Sequence, residues 1–407
     1  MLPVNADMGL IMRPDLQTSF IDLVTPERHE RFVQDLSRSL GTQIEYRVCE
    51  MPIFVSSAFR RAMEDAAVQI ILECCTPEIL SRTDAALDQR YTVPHEDKRP
   101  LFSVVDFAVT HNADGTFVPR LIELQGFPSL FGYQWQYAKR IRDEYQLADT
   151  SPFFSNLDEV RYVSLLKDSI FAGHDPEEVA LVEIDPEHQK TRTDFYALRD
   201  EIGIPMVNIR DLIVRNGNVF TQRDGREVQI KRIFNRAIVD ELEDLGVTMP
   251  FRWSDDLNVE WAGHPNWYFR ISKFIMPFLK HASVPRTVFL DQVHEIPEDL
   301  GGFVLKPLYA FAGKGVNVHP TADDIEAIPV ADRSAWILQE KIVYDPCITT
   351  PYGSNKVELR VMLVWLPQQK MPLPVMSLAR TGRGDLMGAR YNTDPWTGSS
   401  GCLFCTD

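Results

Sequence analysis

The chain sets 42 lysines and arginines against 58 aspartates and glutamates over 407 residues, a formal net charge of −16. Such a surface repels a polyanion, which excludes general nucleic-acid binding and requires any phosphate ligand to be held by locally placed cations. The length gives room for about two or three domains around a large core. No run of roughly eighteen apolar residues is present to span a membrane. Residues 1–7 lack the basic and apolar regions of a secretion signal, so a cytoplasmic protein is expected. The six cysteines are scattered, and the Cys402/Cys405 pair lacks the second pair that a structural zinc site needs.

The first part, residues 1–150, opens with a charged helical region, and the apolar spacing over 59–75 predicts a helix packed on a sheet. Residues 101–109 then read as a strand, 111–116 as a turn with the Asp-Gly hairpin signature, and 117–124 as the returning strand. Asp106 interrupts the first strand and Glu123 the second. Glu123 and Gln125 lie two apart, so an extended backbone points both to one side, toward Asp106 across the hairpin. Three converging oxygen donors suit a hard cation such as Mg²⁺. The alternative is a pair of solvated edge acids, or partners for a nearby arginine such as Arg120.

Residues 151–258 predict a small parallel α/β unit, with a strand over 179–184, a helix over 191–202 ending at Gly203, and a second strand over 205–209. No G-x-G-x-x-G follows the first strand, so a dinucleotide fingerprint is absent and a substrate-facing or structural role is expected. In 228–236 cations alternate with apolar residues. Arg232, Asn235 and Arg236 are substrate candidates, the arginines offering planar donor forks to a carboxylate. Surface ion pairs to Asp240, Glu241 and Glu243 are the alternative.

Residues 259–407 begin with Lys273 in an aromatic-rich segment. An apolar strand over 303–306 ends in Lys306, and Gly313, Lys314 and Gly315 form a small-residue loop before a further apolar run. A strand-end lysine offers fixed positive charge to phosphate oxygens, and glycines let backbone amides approach them. The order differs from G-x-x-x-x-G-K-[ST], and a plain hairpin with a glycine turn is the alternative reading. Gln339, Glu340 and Lys341 close a strand able to supply a purine slot. Glu358 and Arg360 share one face of an alternating strand over 357–365, and Arg380 precedes a polar, aromatic tail that includes Arg390, Tyr391 and 396–400, a candidate active-site lining or surface loop.

The succession of these elements resembles the ATP-grasp nucleotide site. In D-alanine ligases and their relatives the acidic hairpin comes last, whereas Asp106, Glu123 and Gln125 come first here. That order resembles the circularly permuted ATP-grasp proteins, glutathionylspermidine synthase most closely and eukaryotic glutathione synthetase as well. The resemblance implies an α/β (α+β) ATP-grasp fold, split into 1–150 and 259–407, with a pre-ATP-grasp-like domain between. It implies Mg²⁺ at Asp106, Glu123 and Gln125, and ATP at Lys273, Lys306, the Gly313–Lys314–Gly315 lid and the Gln339–Lys341 hinge. Gln125 stands where the family has asparagine, and Val104 where an arginine is frequent, a charge that Arg360 or Arg380 would replace. The implied activity is a carboxylate–amine ligase working through an acyl phosphate, with Lys306, Arg360 and Arg380 as catalytic candidates and a peptide-like or amino-acid acid and an amine as substrates. A kinase-type phosphotransferase and a nucleotide binder without catalysis are the alternatives.

Overall fold

The computed structural model describes residues 13–309, 314–388 and 391–405. Gly313 and Arg390, both singled out above, lie outside the described residues.

Both ends of the chain build one sheet. In spatial order it runs Ile53–Val55, Gly398–Cys405, Leu373–Gly382, Gly353–Val364, Phe102–His111 and Phe117–Gln125, with Ile348–Thr350 and Thr150–Ser151 as short additions. The four strands from Leu373–Gly382 to Phe117–Gln125 pair antiparallel. The sequence reading of 396–400 as a tail is corrected here: Gly398–Cys405 sits inside the sheet, and Cys402, Leu403 and Phe404 are fully buried. Its small residues are required by what packs on it. A Cβ on Gly401 would stand 2.4 Å from the Gln134 amide nitrogen.

The predicted helix forms over Ser57–Cys74, opened by the Ser56 hydroxyl accepting the Phe59 amide. Phe59, Met63, Ala67, Ile70, Ile71 and Cys74 fall on one stripe and are buried in the core that covers one face of the sheet. At about 1.5–3 kcal/mol for each large apolar side chain, that stripe outweighs any propensity term in fixing the helix.

On the other face, helix Phe131–Tyr145 begins at Leu130 in a left-handed conformation and lacks a local cap. Its first amides are satisfied from a distance: the buried Asp194 carboxylate accepts from Leu130, Gly132 and Tyr133 at 3.1, 2.7 and 3.0 Å.

The middle of the chain forms the expected parallel unit, ordered Glu260–Trp261, Arg232–Asn235, Val179–Glu183, Met206–Asn208. Residues 228–236, read as one segment in the sequence, are divided: Arg226–Ile230 closes a separate three-stranded meander and Arg232–Asn235 enters the parallel sheet. A third small sheet, antiparallel, joins Thr287–Phe289, Trp336–Glu340 and Phe303–Pro307, the last being the predicted strand that carries Lys306. The expected return of its loop is a single bridge, with Leu305 and Asn317 exchanging backbone hydrogen bonds at 2.9 Å. No helix among the described residues is long and apolar enough to cross a membrane.

Candidate functional site

A cleft of about 1140 Å³ lies between these units. The central sheet contributes Glu123, Gln125, Glu358, Arg360 and Arg380, the small antiparallel sheet Lys306, Gln339, Glu340 and Lys341, and the parallel unit Glu183 and Arg236. Of the other residues singled out in the sequence, Lys273, Lys314, Gly315, Tyr391 and Ser399 also reach it.

The sheet register explains the acidic end. Asp106 stands directly opposite Glu123 on one side and Arg360 on the other, and Glu358 stands opposite Arg380. All are on one face, so the charges meet. Arg360 donates to both Asp106 oxygens at 2.6 and 2.5 Å, and Arg380 bridges Asp106 at 3.4 Å and Glu358 at 2.5 Å. The Tyr344 hydroxyl donates to the second Glu358 oxygen at 3.0 Å. Burial alone would raise the Asp106 carboxyl, but the two guanidinium groups outweigh it and hold it below its ordinary value. For Glu358 burial prevails over Arg380, and Asp106 and Glu123 add to it, so its carboxyl is raised.

Asp106 is thus engaged by arginines rather than open to a cation. Glu123, whose side chain is 34 % exposed, and Gln125, 3.4 Å from it, are the members of the predicted triad that line the cleft. Among the described residues no group of three His, Cys, Asp or Glu side chains is arranged to hold a metal.

The cationic end is built differently. Lys306 is half-buried and donates to the Ile122 carbonyl at 3.4 Å. Burial pushes its ammonium down to about 8, Glu123 and Glu358 opposing and Lys273 reinforcing the shift. Lys273 is lowered by burial too, against Glu123 and Asp240. With Lys273 adding to the cost of charge on Lys306, the two make a site that an anion would relieve.

Lys273 is positioned by a backbone contact. The Gly126 amide donates to the Ile271 carbonyl at 2.9 Å, and a Cβ on Gly126 would lie 2.4 Å from the Trp267 carbonyl oxygen. Gly126→Ala is therefore expected to lower the thermal midpoint by roughly 1–4 °C and to weaken nucleotide binding together with it. Differential scanning fluorimetry with and without Mg-ATP checks both; an unchanged midpoint would show that the Trp267 segment yields freely.

The hinge candidates are divided in role. Gln339 is 2 % exposed within its strand, Glu340 is exposed and 3.7 Å from Arg120, and the Lys341 ammonium donates to the Val318 carbonyl at 2.9 Å. Lys314 is 3.3 Å from Asp244 at the surface, and Gly315 holds φ +73, a conformation that favours glycine.

The three substrate candidates do not assemble. Arg232 is absent from the cleft lining: its guanidinium donates to the Ile170 and Ser169 carbonyls at 2.9 and 3.1 Å, ending helix Glu159–Phe171, and pairs with Glu260 at 2.8 Å. Asn235 is buried and donates to the Ala237 carbonyl. Arg236 does line the cleft, yet it is 2.5 Å from Asp194, so it also holds the carboxylate that caps helix Phe131–Tyr145. The predicted surface pairs to Asp240, Glu241 and Glu243 give way to this interior one. Sequence reading missed Glu183, which ends an apolar strand and is 4 % exposed; a lone acid closing a fully apolar run was its available signal.

No family model matches the chain, and no curated protein matches it. Among solved structures it is similar to a glutathione synthetase like-effector (GSS30) from Globodera pallida in its apo form, with a TM-score of 0.60 and 12 % identity over 96 % of this chain and 99 % of that one. Identity at this level bears on the fold alone. The chain is accordingly a mixed α/β protein with several sheets that shares the fold of a glutathione synthetase-like protein.

Proposed function

We propose that the protein is a circularly permuted ATP-grasp ligase that joins a carboxylate to an amine at the cost of ATP, forming ADP and phosphate. One observation carries this reading: two half-buried lysines from separate segments, Lys273 and Lys306, face the acidic side chain of Glu123 across a single cleft that Gln339, on the strand Trp336–Glu340, also lines. A half-buried cationic pair with its ammonium groups depressed fits a triphosphate.

For the cation, Glu123 and Gln125 would be the protein ligands, which matches the habit of Mg²⁺ of using one or two carboxylates with substrate phosphates. When bound, it would neutralise charge on the transferring phosphoryl oxygens. Asp106, joined to Arg360 and Arg380, serves instead to orient those guanidinium groups. The acid substrate attacks the γ-phosphorus while Lys306 offsets the charge that spreads over the equatorial oxygens, and Arg380 lines the same cleft from the central sheet. Closure of the small antiparallel sheet over the cleft would keep water from the acyl phosphate until an amine displaces phosphate.

A second reading, a nucleotide binder without catalysis, draws on that same commitment of Asp106 to arginines. ADP release in the presence of Mg-ATP and a panel of amino acids and dipeptides, paired with simple amines, separates the two. Release that requires both an acid and an amine supports the ligase. ATP binding with no ADP from any pair supports the binder.

A further inference from the structure

Glu183 lies at the C-terminal end of the parallel strand Val179–Glu183, the edge at which parallel α/β units present groups to ligands. It is 4 % exposed and lines the cleft on the wall formed by the parallel unit, whereas Lys306 comes from the small antiparallel sheet. Its Oε1 accepts the Ile184 amide at 2.7 Å, which fixes the plane of the carboxyl.

Its charged surroundings are nearly balanced. Arg236 follows the neighbouring strand, and Glu241 faces it from helix Val239–Asp244. Gln189 ties these elements together, donating to the Ile184 carbonyl and to Glu241, both at 2.9 Å. The exposed His188–Asp185 pair lies beyond them. Burial therefore dominates and pushes the Glu183 carboxyl up to about 8, the Ile184 bond and Arg236 lowering it and Glu241 raising it.

We propose that Glu183 accepts a proton from the ammonium form of the amine substrate and so generates the nucleophile for amide formation. This rests on the ligase reading. The ammonium gives its first proton to the Glu183 carboxylate and becomes a neutral amine. Nitrogen then bonds to the acyl carbon, the bond from that carbon to the phosphate oxygen breaks, phosphate leaves with the electron pair, and the second proton goes to the phosphate. Glu183 returns its proton to water at the cleft mouth. An acceptor that titrates near working pH is suited to this exchange.

The test compares the wild type with Glu183→Gln, which keeps the shape and loses the base. The same acids, a panel of N-acyl amino acids and dipeptides, are offered with Mg-ATP to two kinds of nucleophile at pH 7: hydroxylamine, which is neutral there, and glycine or methylamine, which are ammonium ions. The expected result is that the substitution lowers amide formation at least about 100-fold more than hydroxamate formation. That gap should close as pH rises toward the amine's own pKa. Equal losses with both nucleophiles, or no loss, in a variant derived from an active wild type would overturn this proposal alone. A wild type that yields neither hydroxamate nor ADP would overturn the ligase reading, and this proposal with it. A carbon-13 titration of the Glu183 carboxyl gives a readout apart from turnover: a midpoint in the ordinary carboxylate range would also overturn it.

Discussion

Lys306→Met is expected to weaken Mg-ATP binding about 10- to 100-fold while leaving the fold intact. A charge-assisted contact to phosphate is worth roughly 1.5–3 kcal/mol, and Lys306, half-buried in the cleft wall, is placed to make one. In the free protein its ammonium is depressed from 10.5 to about 8 by burial. The unfolded chain therefore binds more protons than the native one between those values, so the penalty on the native state is full below about pH 8 and fades as pH rises toward 10.5. Methionine removes that penalty, and the variant should be at least as stable as the parent at neutral pH.

Nucleotide binding has its own pH signature. A bound polyanion raises the Lys306 pKa, so affinity should be flat below about pH 8 and fall up to tenfold per pH unit above it, with proton uptake on binding. Calorimetry in buffers of differing ionisation enthalpy reads that uptake directly. Parental affinity retained in Lys306→Met, or no proton uptake at pH 8.5, would remove Lys306 from the phosphate site.

The second large effect concerns stability. Arg360→Met leaves the Asp106 carboxylate, 1 % exposed, with only the 3.4 Å contact to Arg380, and should cost about 3–5 kcal/mol. The double variant Asp106→Leu/Arg360→Met removes one charge of each sign and is expected to lie within about 1 kcal/mol of the parent, since apolar replacement of a buried pair is frequently neutral. Urea unfolding followed by far-UV circular dichroism measures both. A single variant that unfolds with the parent would show that strand pairing, rather than this ion pair, sets the register of Arg360 against Asp106. Activity is a separate matter, because the double variant frees Arg380 from Asp106 and alters the charge facing the cleft.

The local elements were legible because they rest on short-range chemistry. An apolar run, its returning strand and an Asp-Gly turn between them marked the Phe102–His111 and Phe117–Gln125 hairpin and, through its pairing, the approach of Asp106 to Glu123. The left-handed cap at Gly203 ended the helix Arg192–Ile202 where the sequence put it. The alternating pattern placed Glu358 and Arg360 on one face, as the strand Gly353–Val364 has them.

What the sequence determined by itself, then, is the set of strands, helices and charged faces, since each follows from residues within a few positions of one another. The tertiary structure decided which faces meet. Arg360 lies 254 positions from Asp106, and no local pattern says that the carboxylate will find guanidinium partners before a cation. The strand Gly398–Cys405, rich in small and polar residues, resembles a tail until helix Phe131–Tyr145 packs so closely on it that a Cβ at Gly401 would collide with Gln134 and Tyr137. Arg232 and Arg236 belong to one alternating segment in the sequence, yet Arg232 opens the strand Arg232–Asn235 and Arg236 follows it, so about 3.3 Å of rise per residue sets them at its two ends. Only the C-terminal end opens on the cleft, so one arginine closes a helix and the other lines the site.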